Sequence, residues 1–188
     1  MSTALRALVV YESMFGNTAQ VARAVAEGLE LDHVTTSVRS VDEAPLGMPI
    51  DVDLFVVGAP THAFSLSRPT TRADAVRQGA PQRHEELGLR EWLSALPGAR
   101  GLGIAIFDTR VSKMHRLPLG AGPRAARIAR KQGLDLLGKP VPFLVDGIKG
   151  PLGPHELDRA VEWGRLVAGA ARTHARVEAA RRFRLSRS

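Results

Sequence analysis

Short apolar runs that alternate with stretches of helical periodicity most limit how this chain can fold. Residues 53–58 (Asp-Leu-Phe-Val-Val-Gly) and 101–107 (Gly-Leu-Gly-Ile-Ala-Ile-Phe) are nearly unbroken apolar runs, too short to be core helices. Strands buried on both faces read this way. Residues 5–11 and 141–145 read as two more strands, the second at an edge because Pro142 cannot donate to a ladder. Residues 33–38 alternate as an edge strand does. Between the strands, Asn17 to Leu31 sets Val21, Ala22, Val25, Ala26 and Leu29 at helical spacing. Further helical stretches lie near 86–96, 121–137 and 154–177, the last opening on Pro154. This rhythm predicts a three-layer α/β protein: a doubly wound five-stranded parallel sheet of order 2-1-3-4-5. Its ligand crevice belongs at the carboxyl ends of the strands. Two long connections, 62–85 and 108–120, leave strands at that end, where long loops carry function.

Composition removes several classes of chemistry. The 188 residues suit one domain, assigned to 1–171, with a basic helix end or tail at 172–188. There is no cysteine, so disulfide scaffolds, cysteine zinc sites, iron–sulfur ligation and thiol nucleophiles are excluded. The six histidines are scattered and imply no metal site. No apolar run reaches the ~18 residues of a membrane span, and the first residues read as a buried strand rather than a signal peptide. A cytoplasmic protein is expected. The net charge is +7, from 26 basic and 19 acidic residues. Six arginines and one glutamate fall in 172–188, so the body is nearly neutral and a nucleic-acid stripe is not evident.

The first strand runs into Glu12-Ser13-Met14-Phe15-Gly16-Asn17-Thr18 and then a helix. Unpaired N–H groups at a helix start point at an anion. Gly16 permits positive φ or close approach, and Ser13 and Thr18 add hydroxyls. With no lysine in it, this loop reads as a phosphate-monoester cradle of neutral donors. An ordinary N-cap by Asn17 or Thr18 is the alternative reading of the same residues.

Tyr11 to Thr18 resembles the FMN phosphate loop of flavodoxins, usually Ser/Thr-x-Thr-Gly-x-Thr. Ser13, Gly16 and Thr18 match the first hydroxyl, the glycine and the last threonine. Phe15 stands where a hydroxyl residue is usual, which looks more like the flavodoxin domain of flavodiiron proteins. Gly58-Ala59-Pro60-Thr61-His62-Ala63-Phe64 resembles the Gly-Ser-Pro-Thr turn after strand three, which covers one face of the isoalloxazine in that family. The resemblance spans about residues 4–170 in fold order. It implies that Ser13, Met14, Phe15, Gly16, Asn17 and Thr18 hold the phosphate. Pro60, Thr61, His62, Ala63 and Phe64 would border the ring and ribityl chain, and Asp108, Thr109 and Arg110 the pyrimidine side.

The third loop departs from the pattern: from Arg110 to Gly122 it has no Tyr, Trp or Phe to stack on the flavin. Either Met114 or His115 covers the ring, or that face is open. The loop is basic instead (Arg110, Lys113, His115, Arg116), which would favour anionic reduced flavin and raise the midpoint potential. Trp92 and Trp163 read as packing residues. Gly133 to Lys139 has Walker A spacing, but Pro140 replaces the hydroxyl residue. The resemblance implies a non-covalent FMN protein that carries electrons between a reductase and an acceptor. No catalytic side chain is then required. An FMN-dependent NAD(P)H:quinone-type oxidoreductase and a flavin-free interaction module are the alternatives.

Overall fold

The computed structural model describes residues 4–47, 51–81, 87–98, 101–114 and 119–186. β1 (Arg6–Tyr11) leads into α1 (Asn17–Leu31), β2 (Thr35–Ser40) and β3 (Leu54–Pro60). Then come α2 (Pro69–Arg77), α3 (Leu89–Ala95), β4 (Gly103–Val111) and α4 (Ala121–Lys131). β5 (Asp135–Leu136), β6 (Val141–Val145) and α5 (Glu156–Leu185) complete the chain. All pairings are parallel, in the order β2-β1-β3-β4-β5, with β6 also on β4.

The predicted sheet order holds, and several details differ. The fifth position is shared by two short strands. β5 pairs the start of β4 (Gly103 with Asp135) and β6 its end (Phe107 with Val141). The helix expected to reach 137 stops at Lys131. Gly133 at φ 81° breaks it, and the chain pairs at once with β4. The 62–85 connection also holds α2, opened by Pro69 in its first turn.

Each face of the sheet carries one half of the core. On one, Leu8, Val10, Phe55, Val57 and Ile104 meet Trp92 of α3 and Ala125 and Ala129 of α4. Phe55 and Trp92 stack edge to face at 5.6 Å. On the other, Val9, Val56 and Phe107 meet α1 and α5, and Phe107, Phe143 and Trp163 form an edge-to-face trio. Both tryptophans are packing residues, as expected. α1 and α5 touch backbone to backbone: a Cβ on Gly28 would lie 2.0 Å from the Val161 carbonyl oxygen, and one on Gly164 2.3 Å from that of Val25.

The 172–188 segment continues α5 as helix to Leu185. Arg172 bonds the Asp32 carbonyl, and His174 Nε2 lies 3.1 Å from Asp135 Oδ2. Asp135, His174 and Glu178 place ligand-type atoms within 4.8 Å of one another. Glu178 is also paired with Arg181 at 3.3 Å. This ion-pair cluster sits by the start of β4, at the end of the sheet remote from the carboxyl-end loops. Among the described residues, no helix is long and apolar enough to cross a membrane.

Candidate functional site

Parallel register carries β1, β3 and β4 to a common edge. Tyr11 pairs Gly58, Gly58 pairs Phe107, and Pro60 pairs Thr109. The pairing continues past the strands, with Glu12 N–H on the Gly58 carbonyl (2.9 Å) and Thr61 N–H on that of Thr109 (2.8 Å). The loops after these strands therefore leave together and border one cleft of about 90 Å³. Ser13, Met14, Phe15, Asn17 and Thr18 line it from the first loop, Pro60, Thr61 and His62 from the second, and Thr109 and Arg110 from β4.

The first loop has the geometry of an open helix start. Gly16 is the N-cap of α1, at φ 89°, and no side chain of its own caps the helix. Asn17 and Thr18 are not caps. Asn17 Nδ2 donates to the Lys149 carbonyl (3.1 Å), and the Thr18 and Thr109 hydroxyls bond at 2.8 Å. Ser13 Oγ accepts the Ala19 N–H at 3.2 Å. The Asn17 and Thr18 amides have no intrahelical acceptor, and the helix dipole adds its positive end there.

The start of α4 is the contrast. Its first amides are taken: Ala121 N–H donates to Thr61 Oγ1 (3.0 Å) and Gly122 N–H to Asp108 Oδ2 (3.0 Å). Asp108 is fully buried and does not line the cleft. Its carboxylate holds Arg110 through Nε (2.7 Å) and Nη2 (2.6 Å), and Arg110 Nη1 also reaches the Leu119 carbonyl. The Arg110 charge is thus paired with a carboxylate where it stands. Lys113 is exposed. His115, Arg116 and the Met114 side chain lie outside the described residues.

The second loop turns sharply. His62 and Ser65 exchange backbone hydrogen bonds at 2.9 Å across Ala63 and Phe64. Both central residues have positive φ, 44° and 63°, the arrangement of mirror-image hairpin turns that favour Asn-Gly. Ala63 and Phe64 lie outside this cleft and line a second hollow beside it, with Thr61, Arg110, Val111 and Leu119. Phe64 is 44% exposed, so it is not a core residue.

Beneath this turn lies a buried polar cluster that sequence reasoning missed. Arg72, fully buried, donates to Ser67 Oγ (3.1 Å) and Glu91 Oε2 (3.2 Å). Glu12 Oε2 accepts the Leu89 N–H at 2.8 Å, while Oε1 has no partner among the described residues. Burial raises the Glu12 pKa against the opposing pull of Ser67, Leu89 and Arg72. Burial, then the Arg72 cation, lowers that of His62, whose Nε2 is also without a described partner.

A fourth wall was also missed. Val145 and Ile148, from the end of β6 and the loop after it, line the cleft. Glycines at 147 and 150 are the sequence signal for that turn.

A doubly wound parallel sheet of this order, with its cleft at the carboxyl ends of β1, β3 and β4, defines a flavodoxin-like fold. Solved structures agree. An archaeal flavodoxin superposes with a TM-score of 0.61 at 17% identity, over 89% of this chain and 99% of that one. A flavodiiron core from Synechocystis matches at 0.59 and 16%, over 90% of this chain and 36% of that one. A WrbA-like flavodoxin from Agrobacterium tumefaciens matches at 0.52 and 21%, over 91% and 99%. No family model and no curated protein matches the sequence.

Proposed function

We propose that this protein binds FMN non-covalently in the cleft and carries electrons between a reductase and an acceptor. The observation that carries this reading is the difference between the two helix starts. The first two amides of α4 are occupied by Thr61 and Asp108, whereas at α1 Ser13 takes the third amide, that of Ala19, and the Asn17 and Thr18 amides have no acceptor among the described residues. A helix start with its first two amides open, at the switch edge of such a sheet, fits a phosphate. Gly16 has nothing within 4 Å of a Cβ position, so the loop leaves room for the group. Ser13, Asn17 and Thr18 would hold the phosphate, partly through backbone, and Pro60, Thr61, His62 and Thr109 would border the ring and ribityl chain. The flavin, when bound, supplies one- and two-electron chemistry, and the chain supplies position and electrostatics. Flavodoxins and flavodiiron cores among the structural neighbours support a flavin protein of this kind.

One observation favours an oxidoreductase as a second reading. Among the described residues, Phe15 is the one aromatic ring in the cleft lining besides the His62 imidazole. A flavin face that no Tyr or Trp covers would admit a substrate, such as a quinone, beside an NAD(P)H donor.

The test is titration of the purified protein with FMN, read by the visible spectrum and by quenching of flavin fluorescence. Saturable binding at about micromolar or tighter affinity is expected. Gly16→Asp sets a carboxylate against the phosphate and should weaken binding by about 100-fold, since like charges at ~5 Å cost several kcal/mol at a partly buried site. Rapid bleaching of bound FMN by NADPH alone would favour the oxidoreductase. Absence of FMN binding would refute both readings and leave the interaction module.

A further inference from the structure

We propose that the loop between β6 and α5 selects a phosphorylated flavin, through Lys149. The inference rests on the FMN reading and goes beyond it. It assigns the phosphate end a cation from a distant part of the chain, where the first loop by itself offers neutral donors only.

The loop is a pinned excursion from the edge strand. Asp146 N–H donates to the Pro151 carbonyl (2.9 Å) and Gly153 N–H to that of Leu144 (2.9 Å), and Val145 bridges Leu152. Within it, Gly150 N–H closes a turn onto the Gly147 carbonyl at 3.1 Å. The tip presses on the phosphate loop. Lys149 offers its carbonyl to Asn17 Nδ2, and a Cβ at Gly150 would lie 2.5 Å from Asn17 Oδ1. Only glycine fits that contact, and the φ of 98° there suits it too. The Lys149 backbone is thereby fixed one hydrogen bond away from the first turn of α1.

The side chain follows. Lys149 Nζ stands over the Phe15 ring, 5.7 Å from its centroid, a cation–π distance. Phe15 belongs to the loop proposed to hold the phosphate, so its ring keeps an ammonium beside that loop. A compact ammonium with rotatable donors suits a phosphate monoester. A flavin that ends in a hydroxyl gains no charge pairing from it. Lys149 acts on affinity and selectivity and takes no part in electron transfer.

The experiment compares FMN with riboflavin, by fluorescence quenching, on the full chain and on Lys149→Gln and Lys149→Arg. Lys149 is exposed, so neither substitution should change thermal unfolding. An exposed charge pair supports a loss of up to about fivefold. Lys149→Gln should therefore raise the FMN dissociation constant by about fivefold at low salt and leave riboflavin unchanged. Lys149→Arg should restore most of the difference. Raising salt from about 0.02 to 0.5 M should shrink the gap between wild type and Lys149→Gln, because the screening length falls from about 20 Å to about 4 Å. Equal losses for both flavins, or no loss for either, would overturn the role of Lys149 while FMN binding by the wild type stood. Failure of the wild type to bind FMN would overturn the flavin reading and this inference with it.

Discussion

Asp108→Asn tests whether the buried pair beneath the cleft organises it. Asp108 is 0% and Arg110 8% exposed, so the pair has little water to fall back on. Every carboxylate oxygen is engaged. Oδ1 accepts from Arg110 Nε and, at 3.5 Å, from the Thr61 hydroxyl, while Oδ2 accepts from Arg110 Nη2 and Gly122 N–H. An asparagine amide has one acceptor and one donor, so either orientation sets an NH₂ against an N–H. The substitution also leaves a buried guanidinium without its counter-charge. Breaking such a pair costs about 3–5 kcal/mol, whereas exchanging both partners for apolar groups is often near neutral. For a chain of this size that is a fall of about 10 °C in Tm. The assay is urea unfolding followed by fluorescence of Trp92 and Trp163. It should be run on Asp108→Asn, on Asp108→Leu, on Arg110→Met, and on the double variant Asp108→Leu with Arg110→Met. The double variant should cost less than the two single changes together by about 2 kcal/mol. A cost below about 1 kcal/mol for Asp108→Asn, or strict additivity, would refute the claim that the pair is a closed buried unit.

Two further outcomes are expected. Replacing Ala63-Phe64 by Asn-Gly should stabilise the protein by about 1–2 kcal/mol in urea unfolding, because both residues hold positive φ that Asn and Gly adopt at lower cost. Stability unchanged or lowered would mean that the turn is not strained. Glu12 gives a pH dependence with a defined sign. Its folded pKa is raised above 4.5, so as pH climbs past 4.5 the unfolded chain loses this proton first. Stability due to Glu12 is therefore greatest at or below pH 4.5 and falls as pH rises through the folded pKa. Glu12→Gln, which can still accept from Leu89, should match the wild type near pH 4 and exceed it at pH 7 in urea midpoint. Parallel midpoint curves for the two proteins would show that the carboxyl is not held protonated.

What the sequence made legible follows from how local each signal is. The helix of α1 was read to its first and last residue because one apolar stripe and one glycine delimit it. The first two loops were legible because positive φ and close approach leave a glycine, a proline and hydroxyls in a fixed order. The resemblance sets Asp108 on the pyrimidine side of a flavin, and its place in the strand carries a further clue. Asp108 and Arg110 are two apart in β4, on the same side of the strand, and an acid and a base so placed meet each other before they meet a ligand. α2 lay inside a connection read as loop: its nine residues have weak apolar periodicity, and Pro69 was its clearest signal. The fifth strand could not be read as two, because a two-residue strand has no pattern of its own and exists through pairing with Gly103 and Ile104. Lys149 is the furthest from local reading. It lies 132 residues from the asparagine that its carbonyl receives, and nothing near Phe15 names the cation that comes to cover it. A ring in a loop otherwise built of hydroxyls and a glycine is thus an incomplete observation until the fold shows what lies against it. Here it is a charge, and a charge can be tested apart from the fold, because salt screens it and leaves the packing untouched.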